Sequence, residues 1–309
     1  MTLQQLEYVV ALDSYRNFVL AAEKSFVTQP TLTMQVKKLE DEIGVQIFDR
    51  NKKPIQPTPA GERVIMKARQ ILREVNQLKE FISSERNSVK GNFKIGIIPT
   101  LAPYLLPLFL PHFTRENPET HLQISELQTE EIVKGLKNDT IDIGILVTPL
   151  LEKTFREIVL YNESFLVYHP QDHPFASQDK IDPDMLNLNE MLILNEGHCF
   201  RNQILNICNS DFANSSVGFD YQSGSIESLK NLVNRGVGYT LVPELSICDN
   251  REQNQIKRFN EPEPVREVSL VVHKGFTKES LIEKLRDLIL QNIPDHFVKS
   301  KKYMKVMWR

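Results

Sequence analysis

The sequence predicts a two-part protein: an all-α N-terminal domain with a small β wing, then a long linker helix, then a larger α/β domain of two lobes. Three observations predict it. Residues 1–58 hold three short stretches of helical apolar periodicity, then two brief extended runs around a basic turn. Residues 59–84 keep a helical pattern without Pro or Gly beyond the first turn. From Asn92 onward, short apolar runs alternate with helical ones, as in a mostly parallel sheet.

A length of 309 residues is more than one compact unit needs, and 41% hydrophobic with 25% charged residues is a globular balance. No run of eighteen apolar residues exists, so no membrane partner is expected, and MTLQQLEYVV lacks the basic start and apolar core of an export signal. A cytoplasmic location is expected. The three cysteines, Cys199, Cys208 and Cys248, are too few for a disulfide scaffold. The net charge of −3 gives no general affinity for nucleic acid, and in residues 1–58 seven Lys/Arg cancel seven Asp/Glu. Affinity for DNA must come from where charges sit.

The first helix is expected over 3–13, with Leu3, Leu6, Val9 and Leu12 on one stripe, and the second over 17–25, where Ala21 and Ala22 permit close approach. FVTQPTLTMQVKKLEDEIG reads as a third helix, with Thr28 as N-cap, Pro30 in the first turn and Gly44 at its end. Leu32, Val36 and Leu39 then face inward, leaving Gln29, Thr31, Thr33, Met34 and Lys37 outside. Gln46–Arg50 and Ile55–Thr58 form a hairpin around NKKP, and Thr58 with Pro59 starts the linker helix. Val64, Ala68, Ile71, Val75, Leu78 and Ile82 repeat with heptad spacing, which predicts an intermolecular seam. The whole is a winged helix-turn-helix. Gln29 can bond adenine and Thr31 can meet a thymine methyl, while Lys37, Arg50, Lys52 and Lys53 suit phosphate.

In the larger domain FKIGII, HLQISEL and IDIGIL read as strands separated by helices, FLVYHP and MLILNE as strands of a second lobe, and LVVHKG as a return to the first. The expected division is 1–58 for the DNA-binding domain, 59–90 for the linker and dimerisation helix, and 91–309 for a regulatory domain. Its lobe I takes 91–161 and 268–309, and its lobe II takes 162–267, with a ligand cleft between them.

EGHCFRNQILNIC, residues 196–208, carries the most chemistry. QILNIC has the pattern of a short helix, so Cys199 stands near a helix N-terminus beside His198 and Arg201. Such surroundings favour thiolate. Thiolate attacks peroxide to give sulfenic acid, with which a second thiol, here Cys208, can condense. A continuous helix would separate the two by about 13–14 Å, whereas a disulfide needs Cα atoms within about 7 Å. Helix and disulfide therefore exclude each other. Two inert buried cysteines fit the same residues and stay open as the alternative.

Residues 1–61 resemble the N-terminus of LysR-type transcriptional regulators: TQPTLTMQVKKLEDEIGVQIFDR and PTPAG follow that family's reader and wing in order and spacing. VNRGVGYTLVP, with Val233, Gly236, Gly238, Leu241 and Pro243, and QDHPFA at 171–176 fit its effector domain. The resemblance covers essentially the whole chain. It implies a periplasmic-binding-protein-like two-lobed regulatory domain and a homotetramer, a dimer of dimers with helix 58–84 as one contact. It also implies a palindromic double-stranded DNA operator, with RNA polymerase as a partner at the promoter. GHCFR followed by Cys208 resembles the peroxide-sensing OxyR branch of the family. That implies a peroxidatic Cys199 and a resolving Cys208, with Thr100, Thr129, His198 and Arg266 around the peroxide. Arg201 and Asn202 would support the redox loop, and a cellular thiol reductant would reset it. Asn202 departs from the branch, which carries an acidic residue there.

No metal or cofactor is expected. His198, Cys199 and Cys208 lack zinc-ligand spacing, His169 and His173 sit against prolines, and Gly236-Val237-Gly238 lacks the third glycine of a dinucleotide fingerprint. An enzyme, a thiol peroxidase, would leave residues 1–84 without purpose. A regulator of another small molecule, its cysteines inert, is the second reading. Cys248 fits no motif, and the tail HFVKSKKYMKVMWR suits either a packed or a loose end.

Overall fold

The computed structural model describes residues 1–83, 89–208, 223–247, 250–298 and 303–308. The chain forms two compact units, 1–87 with 275–278, and the remainder.

In the first unit α1 (Leu3–Tyr15) opens with a reciprocal cap between Thr2 and Gln5. The side chain of Asn17 accepts from two amides at the start of α2 (Phe18–Lys24). α3 (Gln29–Ile43) carries Pro30 in its first turn and ends on Gly44. Leu6, Val9, Leu12, Ala21, Ala22, Leu32, Val36 and Leu39 are buried together. β1 (Phe48–Asp49) and β2 (Gln56–Pro57) pair antiparallel, Phe48 opposite Pro57, in the short hairpin that the sequence reads as a wing. α4 (Pro59–Ser83) starts at Thr58, whose hydroxyl donates to Gln46 O at 2.7 Å and accepts from Gly61 N at 2.9 Å. The wing is thereby fixed to the helix that follows it. Gly61 lies so close to the wing that a Cβ there would stand 1.9 Å from Ile47 O.

α4 does not present the whole heptad seam outward. Ile65, Ala68 and Arg69 are buried within the unit, and Arg69 donates to Asp13 Oδ2 at 2.9 Å and Ser14 Oγ at 3.1 Å on α1. That anchor turns Val64 and Ala68 onto their own domain. Ile71 and Leu78 are 38% and 61% exposed. The side chain of Ile82 lies outside the described residues.

The second unit is built on one sheet, in the order β4-β3-β5-β10-β6-β9-β7. β3 (Gly91–Ile97) pairs parallel with β4 (Thr120–Glu126) and β5 (Ile143–Thr148). α5 (Ala102–Glu116) and α6 (Thr129–Lys137) make the crossovers. β6 (Phe155–Tyr168) and β10 (Glu263–His273) are long and antiparallel. β10 pairs with β5 through Glu267–Val272, and the far half of β6 pairs with β8 (Thr240–Pro243) and β9 (Ile256–Phe259). These two strands therefore run from one lobe into the other. β7 (Lys180–Ile181) joins β9, and β11 (Tyr303–Lys305) joins β10. α7 (Cys199–Ile207), α8 (Ile226–Val233) and α9 (Glu279–Asn292) complete the unit.

MLILNE is not a strand. Met191–Leu194 are buried, but they meet the sheet through an isolated bridge, Met191 to Tyr239, with Leu192 N donating to Tyr239 O and Thr240 Oγ1 donating to Leu192 O, rather than through a ladder. Apolar side chains fill the second lobe's core from an irregular backbone, so a buried apolar run did not need a ladder. Among the described residues no helix is long and apolar enough to cross a membrane.

Gly61→Ala is expected to destabilise the first unit by about 1–3 kcal/mol. Denaturant unfolding followed on residues 1–87 checks this; an unchanged midpoint would mean the Ile47 carbonyl yields to the methyl.

Candidate functional site

In the first unit Thr28, Gln29, Pro30, Met34 and Lys37 are exposed on α3, and Thr31 and Thr33 are half-buried. Thr28 has the extended backbone of an N-cap, but its hydroxyl does not cap. It lies 2.8 Å from Thr31 Oγ1, and Gln29 Nε2 donates to Thr33 Oγ1 at 3.2 Å. The predicted base-reading side chains are thus held in two pairs along one face. Lys52 and Lys53 are exposed on the wing turn. Arg50 is committed elsewhere: Nη2 donates to Glu40 Oε2 at 2.7 Å, and its guanidinium lies 6.0 Å from the Phe18 ring centre. Glu40, buried, accepts from the amides of Ile47 and Phe48, so this ion pair fastens the wing to α3. A phosphate role for Arg50 would be shared with that task.

In the second unit Cys199 is the first residue of α7, after His198 as N-cap. The thiol is 5% exposed. Cys199 and Cys208 are both present as thiols. α7 is continuous from one to the other, with Cys208 as its C-cap, so the nine-residue rise keeps them about 13–14 Å apart. Phe200, Ile204 and Ile207 bury the helix against the lobe core, each contributing about 1.5–3 kcal/mol.

Arg266, on β10 and 1% exposed, organises the surroundings of Cys199. Its Nε donates to Glu163 Oε2 at 2.8 Å, Nη1 to Thr100 Oγ1 at 2.8 Å and Nη2 to Thr100 O at 3.1 Å. The guanidinium faces the Phe200 ring at 5.3 Å, and Phe200 stacks on Phe165 at 5.1 Å. Glu163 is fully buried, and its other oxygen accepts from Leu245 N at 2.8 Å. A charge buried this deeply is tolerable only because it is paired. Burial pushes the Glu163 carboxyl up, and Arg266 pulls it back.

Burial also pushes the Cys199 thiol up. The Thr129 hydroxyl, Arg266 and the amides at the start of α7 pull the other way without prevailing. Thr129 Oγ1 is buried beside the thiol and makes no hydrogen bond of normal geometry. The expected helpers are differently disposed. Arg201 turns its Nη1 to Leu194 O at 3.0 Å, and burial pushes His198 down toward its neutral form. The cation acting on Cys199 is Arg266, 67 positions along the chain, rather than Arg201. Cys208, half-buried against the lobe core, has its thiol pushed up to about 11 by desolvation.

Gly197, with φ +91°, holds the turn before His198, and a Cβ there would strike the Gln128 side chain at 2.4 Å. Gln128 in turn forms a capping box with Glu131 that starts α6 at Thr129. His198 Nε2 and Asn195 Oδ1 flank Gly224, and Asn195 Oδ1 is buried without a partner. The structure therefore brings Thr100, Thr129, Cys199 and Arg266 together, sets His198 beside them in the chain, and leaves Arg201 and Asn202 on the outer side of α7. Glu163, Gln128 and Glu40 escaped sequence reading. Cys248 lies outside the described residues. No group of three or more His, Cys, Asp or Glu able to hold a metal occurs among the described residues.

Residues 3–62 match the model of the bacterial regulatory helix-turn-helix protein, lysR family, and residues 86–294 match the LysR substrate binding domain. The chain belongs to the LysR family of transcription regulators. LysR proteins are regulators rather than enzymes, and the two matched domains here are the N-terminal reader and the two-lobed regulatory domain. Among LysR relatives, the chain is 34% identical to the hydrogen peroxide-inducible genes activator of Haemophilus influenzae, over 95% of this chain and 97% of that protein. It is 35% identical to the DNA-binding transcriptional dual regulator OxyR of Escherichia coli K12, over 97% and 98%. A full-length OxyR variant from Pseudomonas aeruginosa has a similar structure, with a TM-score of 0.81 and 33% identity over 94% of each chain. A hydrogen peroxide-bound OxyR mutant from Corynebacterium glutamicum gives a TM-score of 0.62 at 27% identity over 98% of each.

Removing the cation beside Cys199 should raise its pKa further. Arg266→Ala is expected to slow alkylation of Cys199 at pH 7 about tenfold. Glu163→Gln, which frees the guanidinium from its counter-charge, should speed it. Mass-resolved alkylation of Cys199 against pH reads both; equal rates in all three proteins would remove Arg266 from the thiol's electrostatics.

Proposed function

We propose that the chain is a transcription regulator that senses hydrogen peroxide through Cys199 and Cys208 and controls oxidative-stress genes. The observation that carries this reading is a buried thiol at a helix N-terminus with a threonine hydroxyl and a buried arginine acting on it. The relatives named for peroxide-inducible genes support it.

Cys199 Sγ, as thiolate, attacks one peroxide oxygen. The S–O bond forms and the O–O bond breaks, and the departing hydroxide takes a proton and leaves as water. Thr129, whose hydroxyl has no other engagement, and Thr100, whose oxygen already accepts from Arg266 and keeps its proton to give, suit the two oxygens of peroxide. His198, neutral, suits the released water. Because the thiol is mostly protonated when buried, peroxide bound between these hydroxyls also offers the route by which its proton leaves. The sulfenic acid on Cys199 is then attacked by Cys208: the S–S bond forms, the S–O bond breaks, and a second water departs. A cellular thiol reductant returns the pair to thiols. α7 cannot survive the disulfide, so oxidation refolds this segment, a two-state element able to alter the DNA-bound assembly.

The assembly in this reading is a homotetramer, a dimer of dimers, with α4 as one contact and a palindromic operator as target. Gln29, Thr31 and Thr33 read bases in the major groove, and Lys37, Lys52, Lys53 and part of Arg50 meet phosphate. Thr28 and Pro30 set the helix entry. The division at 1–58, 59–90 and 91–309, with lobe II at 162–267, is the one this reading uses, and RNA polymerase is the promoter partner.

The burial that pushes both thiols up favours the second reading, a LysR-type regulator of another small molecule with inert cysteines. Thiol mapping by mass spectrometry after brief, near-equimolar peroxide separates them. The expected result is a Cys199–Cys208 disulfide in the parent, trapped sulfenic acid in Cys208→Ser, and no change in Cys199→Ser. Unreacted thiols in the parent would leave the second reading.

A further inference from the structure

The stretch from Tyr303 to Trp308 lies along the outer side of α7. β11 adds to β10 in parallel, Tyr303 opposite Glu263 and Lys305 opposite Val265, and Lys305 forms an ion pair with Glu267. After Val306 N bonds Val265 O at 2.9 Å, the chain leaves the sheet. Three consecutive carbonyls then accept from three side chains of α7. Gln203 Nε2 donates to Val306 O at 2.8 Å, Asn206 Nδ2 to Met307 O at 2.7 Å and Asn202 Nδ2 to Trp308 O at 3.1 Å. Trp308 is 5% exposed, and its indole Nε1 donates to Pro149 O at 3.2 Å, between β5 and β6.

Positions 202, 203 and 206 share one side of a helix only while the helix exists. An amide at 202 donates to a carbonyl, whereas a carboxylate there could not. We infer that residues 303–308 are a positioning element for disulfide closure: their carbonyls hold Asn202, Gln203 and Asn206 in helical register, so Cys208 reaches Cys199 only after this segment lets go. The inference rests on the peroxide reading above and adds the step that reading leaves open, what resists closure. Closure is the attack of Cys208 sulfur on the sulfenic sulfur of Cys199, with the S–S bond formed, the S–O bond broken, and the Cys208 proton leaving with the hydroxide as water. The segment takes no part in that chemistry. It sets how often α7 opens to allow it.

Trp308 is the only tryptophan in the sequence and therefore reports on the segment directly. The experiment is stopped-flow tryptophan emission on the full chain after equimolar hydrogen peroxide, with quenched samples weighed for sulfenic acid and disulfide. Emission should shift to the red at the rate of disulfide closure, after sulfenic acid has formed, and should not shift in Cys208→Ser. Asn206→Ala, at an exposed position seven residues from Cys199, should close about fivefold faster, the loss of one hydrogen bond, with sulfenic acid forming at the parental rate. Disulfide formation with unchanged emission, or Asn206→Ala closing at the parental rate, would overturn the inference while leaving the peroxide reading intact. Absence of any disulfide in the parent would overturn both, and the mass spectrum tells that outcome from the others.

Discussion

The two sulfurs are held apart by the helix that connects them, and what the regulatory unit does with Cys199 depends on that separation. α7 begins at Cys199 and is closed by Cys208, and a rise of about 1.5 Å per residue leaves no arrangement in which an intact helix allows a disulfide. Phe200, Ile204 and Ile207 hold the helix to the lobe core, so opening it exposes several kcal/mol of apolar contact. Formation of the S–S bond must offset that. The folded helix also keeps Cys208 a thiol, because desolvation holds its proton on. In the proposed switch, opening α7 releases both constraints together: Cys208 comes near Cys199 and loses its desolvation in the same event.

The Arg266–Glu163 pair is the buried group on which the first turn of α7 packs. It sits on the two long strands that run through both lobes, and its hydrogen bonds reach Thr100 before α5 and Leu245 after β8. Phe200 lies against the guanidinium, so the first turn of α7 is packed on a group that cannot rearrange without leaving a buried charge unpaired. In the proposed switch the strands keep the charge near Cys199 constant while the helix carrying the sulfur refolds.

Much of this was legible in the sequence where the determinants are local. Thr58 before Pro59, Gly44 after α3 and the apolar periodicity of α1–α3 are written in neighbouring residues, and α7 follows from QILNIC. What escaped reading is non-local. Glu163 and Arg266 are 103 positions apart, Asn202 and Trp308 are 106 apart, and Arg69 and Asp13 are 56 apart. No spacing rule joins such residues. Arg201 was expected to act on Cys199 because it is two positions away, but on a helix residues i and i+2 do not face each other, and its guanidinium caps Leu194 instead. MLILNE misled for a related reason, and Val64 and Ala68 of the α4 heptad turn onto their own unit for the same one: an apolar pattern states that side chains are buried, and only tertiary contacts decide against what.

Amide hydrogen exchange across residues 199–208, before and after conversion of the pair to the disulfide, reads whether the helix gives way to the S–S bond. Amides protected through Ile207 in the reduced protein should lose that protection on oxidation, with the strands β6 and β10 unchanged. A disulfide formed with α7 still protected would contradict this refolding.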